Sequence, residues 1–234
     1  MQESNYKYKI RYSLKKDCWN WWRAVKYSEF MGEDFVGRLD SEDKKWAYKI
    51  KGKTQTEAQK ILIPRLKTKS AIVRDAKNVF RELYSKNFMT ACKTLERITG
   101  KRLKMTEFTI QLTTFASLPY FCDQALFYED ATSHFPNDMG SFLHEVLHMQ
   151  TEWWWRQDEK SPVSRMPQYE YAFLRESLTV ILDDELRPLI EDADVGYPDH
   201  QEFRKFLHKE WRRHHDFQLL IDTGLHNIGK FMNK

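Results

Sequence analysis

The sequence predicts an α+β fold, mostly helical, with a small twisted sheet ahead of the helix carrying residues 138–155. Three observations predict it. Glycine and proline are scarce, at 8 and 7 of 234 residues, which argues against a loop-rich or disordered chain. Apolar side chains recur at helical spacing from residue 56 to 98, as in Ile72, Val73, Ala76, Val79, Phe80 and Leu83. Two short runs rich in β-branched and aromatic residues, FTIQLTTFA (108–116) and QALFYED (124–130), read as strands.

Along the chain, YKYKIRY (6–12) alternates aromatic or apolar with basic residues, the period of a half-exposed strand. DCWNWWRAVKYSEF follows as a short amphipathic helix with Asp17 at its N-cap, and WAYKI (46–50) reads as a further strand. Helices are expected over 56–67, 69–85 and 87–98, with Pro64 kinking or ending the first and Gly100 stopping the last. Pro136, Asn137 and Asp138 offer an N-cap for the helix of 138–155. After a polar loop holding Pro162 and Pro167, a long helix covers 168–192, ended or bent near Pro188. One or two more helices close the chain. A single compact domain is expected: a basic, aromatic segment (1–55) packed on a core of 56–192, then C-terminal helices (193–234).

Composition narrows the function classes. No run approaches eighteen apolar residues, so no membrane span or membrane partner is expected, and the N-terminus shows no secretory pattern. Cys18, Cys92 and Cys122 are scattered and odd in number, which reads as reduced thiols in a cytoplasmic protein. Net charge is +4, with Lys and Arg concentrated in the first 70 residues and acid in 170–199. A basic half suits nucleic acid, but no nucleic-acid motif accompanies it, so a solvated face is the preferred reading.

The chemistry concentrates in SFLHEVLHMQTEWWW (141–155). His144, Glu145 and His148 spell H-E-x-x-H. Residues four apart share one helix face, so two imidazoles converge on one Zn2+ ion, while Glu145 reaches a water beside it as general base. A catalytic zinc takes three protein ligands and keeps one open position. The acidic helix of 168–192 is the natural donor of the third.

Within that helix, Phe173-Leu174-Arg175-Glu176-Ser177-Leu178-Thr179 resembles the glutamate helix of the gluzincin metallopeptidases, which follows their H-E-x-x-H helix. The resemblance covers about residues 108–185. It implies a zincin-like core, Glu176 as third ligand with Glu170 as second choice, and hydrolysis of peptide bonds by a zinc-activated water. It departs from the thermolysin-like pattern twice. An inserted loop lies around 156–167, and Val180 stands where an acidic residue is expected one turn after the glutamate, leaving Thr179 or Asp183 to support a ligand. The resemblance also implies an oxyanion donor near or after the glutamate helix, for which Tyr169, Tyr171, His214 and His215 are candidates. It further implies an extended peptide or protein substrate pairing with an edge strand, 108–116 or 124–130. Glu129 and Asp130 are carboxylates near the site, and His134 reads as a loop residue. Three tryptophans in a row (153–155) cannot share one helix face. With WNWW (19–22) they read as core covering, and an overlying segment would make the peptidase latent. A non-catalytic zinc protein, working as a partner- or nucleic-acid-binding module, is the rival reading.

Overall fold

The computed structural model describes residues 5–28, 35–37, 39–115, 117–132, 139–186, 189–190 and 194–232. The elements run β1 (Lys7–Tyr12), α1 (Leu14–Tyr27), α2 (Ser41–Ile50), α3 (Gln55–Thr68), α4 (Ser70–Thr99), β2 (Glu107–Thr113), β3 (Tyr120–Phe121), β4 (Leu126–Asp130), α5 (Gly140–Thr151), α6 (Gln168–Leu178), α7 (Leu182–Glu185), α8 (Gln201–His214), α9 (Phe217–Asn227) and α10 (Gly229–Met232). Helix predominates and the strands form one small mixed sheet, so the fold is α+β as expected. Among the described residues no helix is long and apolar enough to cross a membrane. The chain divides into two compact units, neither continuous in sequence. One holds Lys7–Tyr84 and Glu107–Pro136; the other holds Met1–Tyr6, Ser85–Thr106 and Asn137–Lys234.

The first unit carries the sheet, in the order β1-β2-β4-β3. β1 runs parallel to β2 with Ile10 opposite Ile110, β2 runs parallel to β4, and β3 is antiparallel to β4. In β1, Ile10 is buried while Lys7, Lys9 and Arg11 are exposed, the alternation that the sequence predicts. β2 lies inside the sheet, so 108–116 is not the edge strand expected for it. The outer side of β4 meets β3 only at Leu126 and Phe127. No apolar run announces the two-residue β3.

Two corrections follow from local hydrogen bonding. The N-cap of α1 is Ser13, which accepts from the Lys16 amide, and Asp17 is instead fully buried. Its Oδ1 accepts from Thr113 Oγ1 (2.7 Å) and the Thr114 amide (2.9 Å), and its Oδ2 from Thr114 Oγ1 (2.9 Å) and Tyr12 Oη (3.1 Å). That carboxylate pins α1 to the end of β2. Residues 46–50 are helical, not extended. Asp40 caps α2 by accepting from the Asp43 amide at 2.7 Å, and Asp43, Ala47 and Ile50 make one buried stripe at helical spacing. The buried Asp43 carboxylate is satisfied from α3 and its end, by Arg65 Nη2 at 2.9 Å and by Lys69. Pro64 sits inside α3 without ending it, and α4 is one helix where two were expected, because neither Gly nor Pro interrupts it. Gly100, at φ +64°, follows its last residue as predicted.

In the second unit, α5 buries Phe142, Leu143, Val146, Leu147 and Met149. Gln150 ties it to the end of α4 by donating to Thr99 Oγ1 (3.2 Å) and the Lys101 carbonyl (3.0 Å). The expected cap at 136–138 lies outside the described residues, as do His134 and Pro188. Beyond Thr151 the helix widens into one π-turn, Glu152–Arg156, closed by the Gln157 amide on the Glu152 carbonyl at 2.9 Å. The three tryptophans there diverge. Trp153 and Trp155 are buried, and Trp154 is exposed with its indole N–H on the Arg102 carbonyl at 2.8 Å. Trp155 donates to Gln218 Oε1 of α9 at 2.8 Å. Arg156 Nη1 gathers the carbonyls of Val163, Ser164 and Met166, which fixes the loop before α6. The expected long helix of 168–192 is shorter: α6, a 3-10 turn over Thr179–Ile181, then α7.

Candidate metal centre

The second unit brings the sequence-predicted ligands together. His144 and His148, one turn apart on α5, stack edge-on with ring centroids 4.3 Å apart. Glu176, near the end of α6, places Oε2 at 3.5 Å from Nε2 of His144 and at 3.5 Å from Nε2 of His148. That spacing is long for a hydrogen bond. It suits a shared ion: two donors about 2.0–2.2 Å from one zinc at the tetrahedral angle stand about 3.4 Å apart. His144, Glu145 and His148 form a group able to hold a metal ion, their donor atoms within 4.8 Å of one another. The residues present therefore fit a divalent ion bound by two imidazoles and one carboxylate.

His144 has a second polar contact besides Glu176. His144 Nδ1 faces Asp194 Oδ2 at 3.3 Å. An N–H on Nδ1 leaves the Nε2 lone pair aimed at Glu176, the tautomer a metal needs. Asp194 is held in turn by Arg204, a buried side chain whose Nη1 donates to Thr179 Oγ1 (2.7 Å) and lies 3.5 Å from Asp194 Oδ2. Asp183 Oδ1 accepts from the Asp194 amide at 2.9 Å. Thr179 and Asp183 thus lie around Asp194, the first through Arg204 and the second through the Asp194 amide. Gly196 adopts φ +63°, and a Cβ there would stand 2.7 Å from Arg204 Nε, so only glycine lets this arginine pass.

The electrostatics follow burial and these neighbours. Burial opposes the charged form of His144, but the carboxylates of Asp194 and Glu176 override it and raise its pKa to about 10. His148 is held well below its ordinary value by burial and by the charge of His144. Glu176 and Asp194 stay ionised: burial works against each, and the imidazole of His144 leads the groups that depress them both. Burial pushes Glu145 up to about 7, with His144 opposing. Its Oε2 is buried, lies 3.8 Å from His148 Nδ1 and has no hydrogen-bond partner among the described residues. A carboxyl of such pKa takes and returns a proton near neutrality.

The other candidates are dispersed. Tyr169 is 71% exposed. Tyr171 is buried, its ring under the guanidinium groups of Arg156 (4.8 Å) and Arg175 (5.8 Å). His214 is exposed at the end of α8. His215 Nδ1 lies 3.0 Å from Glu185 Oε1. Glu170 is on the first turn of α6, while both imidazoles face Glu176. Glu129 and Asp130 end β4 in the other unit.

Sequence reasoning missed Asp194, Arg204, Arg175 and His200. His200 packs on Phe173 with centroids 4.2 Å apart, and its Nδ1 is buried without a hydrogen-bond partner among the described residues. Burial lowers its pKa while the charge of Glu176 opposes. Asp194 carried one signal: its Oδ1 accepts from the Gly196 amide at 3.1 Å, a turn readable from D-V-G.

No protein-family model matches the chain, and no curated protein or solved structure matches it either.

Proposed function

We propose that this protein is a zinc-dependent peptidase of gluzincin type, with His144, His148 and Glu176 as ligands and Glu145 as general base and acid. The observation that carries the reading is the convergence of both Nε2 atoms on Glu176 Oε2, with Glu145 beside them near neutrality. A bound zinc ion supplies Lewis acidity and an activated water. Asp194 keeps His144 in the ligating tautomer, and Glu145 takes a proton from the nucleophile and returns it to the leaving amine. The substrate is a peptide or protein.

Elemental analysis of the purified protein beside His148→Ala and Glu176→Ala tests the ligand set. About one zinc per chain is expected, lost or much weakened in both variants. Zinc retained in Glu176→Ala moves the third ligand to another residue. No zinc in the wild type, even after reconstitution, sinks the peptidase reading. Wild type that binds zinc yet cleaves nothing in a peptide library, and behaves as Glu145→Gln does, favours a non-catalytic zinc protein.

A further inference from the structure

The geometry points to Arg175 as a positioning residue that restricts Glu176 to one coordinating oxygen, an inference that rests on the metal centre proposed above. Arg175 Nη2 donates to Glu176 Oε1 at 2.5 Å, while Oε2 is the oxygen facing both imidazoles. Adjacent residues on a helix point about 100° apart and do not ordinarily meet. Here the contact is supported from outside the pair. The Arg175 guanidinium lies 5.8 Å over the ring of Tyr171, one turn earlier, and Arg156 covers that buried ring at 4.8 Å while anchored to three carbonyls of the preceding loop. Only 16% of the Arg175 side chain is exposed.

A carboxylate with two available oxygens can chelate an ion through both, which raises the coordination number and fills the position a substrate would take. A guanidinium on one oxygen prevents this and fixes the plane of the other. Arg175 as a bare charge has the opposite effect, since a cation beside a divalent ion weakens binding. The sign of the change on removing it separates the two roles.

The test is zinc affinity by competition with a chromophoric chelator, for wild type, Arg175→Met and Arg175→Lys, with the visible spectrum of the cobalt-substituted forms. Positioning predicts that Arg175→Met binds about 10–100-fold more weakly. Its cobalt bands lose intensity as coordination rises above four, and Arg175→Lys recovers part of both. Equal or tighter binding by Arg175→Met, with an unchanged cobalt spectrum, overturns the inference. Should Arg175→Met not fold, Arg175→Lys decides alone: weaker binding with altered bands supports positioning, and unchanged behaviour overturns it. A wild-type protein that takes up no zinc overturns the metal centre itself, a result distinct from equal affinities among variants that bind.

Discussion

Asp194 Oδ2 stands 3.3 Å from His144 Nδ1, so a loop residue between α7 and α8 holds one nitrogen of a helical histidine while the other faces Glu176. Replacing Asp194 by Asn leaves the shape and removes the charge. Zinc affinity is expected to fall about 10–100-fold, read by chelator competition. An unchanged affinity would show that the tautomer of His144 is set elsewhere.

Glu145→Gln separates binding from chemistry. The variant is expected to keep its zinc, because the proposed ligands are His144, His148 and Glu176, and to lose peptide hydrolysis by roughly 10²–10⁴-fold. Metal content and turnover of a cleavable peptide, measured on the same preparation, check it. Loss of the metal would make Glu145 a ligand instead of a base.

Gly196→Ala probes the support behind Asp194. The added Cβ would meet Arg204 Nε at 2.7 Å in a backbone conformation with φ +63°, so the arginine must move. Zinc affinity should drop although no group facing the ion changes. A thermal melt of the metal-free variant should show a loss of about 1–2 kcal/mol. Full affinity in Gly196→Ala would argue that Arg204 does not hold Asp194.

The pH dependence has a definite sign. In the metal-free fold His144 titrates near 10 instead of its ordinary 6.5. A raised folded pKa contributes stability that is fully present below about 6.5 and is lost as pH climbs through about 10. The ion must displace that proton, so zinc affinity should rise by about tenfold per pH unit across the same window. Melting temperatures of the metal-free protein and zinc titrations at several pH values check both. A flat affinity between pH 7 and 9 would contradict the protonated state of His144.

Asp17→Ala tests the pin between α1 and β2. It leaves the donors of Thr113, Thr114 and Tyr12 without their acceptor in a buried setting. Destabilisation of about 2–4 kcal/mol is expected in urea unfolding. A loss under about 0.5 kcal/mol would mean that water takes the place of the carboxylate.

What the sequence disclosed and what it withheld divide along a physical line. His144 and His148 were legible because one element fixes their spacing, and Glu176 because a short helical pattern resembles a known one. Asp194 and Arg204 were not, since their meeting depends on where a loop after α7 returns, and no local period encodes that. WAYKI misled for a related reason: alternating Trp46 and Tyr48 imitates a strand, while the deciding stripe of Asp43, Ala47 and Ile50 begins before the run. Asp17 has the right residue type for a cap, and burial against β2, a tertiary fact, claimed it. In α4, Ser85 and Lys86 looked like a boundary only because two helices of ordinary length were expected where one of 30 residues stands.

The π-turn over Glu152–Arg156 has a bearing on inheritance. Its ladder carries one residue more than an α-turn needs, and the exposed Trp154 lies within it. Removing a single residue there would return the last turn of the helix to the α ladder and leave every residue upstream on its own face. The same deletion between His144 and His148 would swing one imidazole about 100° away from the other. The helix thus keeps a reserve of length downstream of His148, where the chain can lose a residue over generations without the two histidines losing their common face.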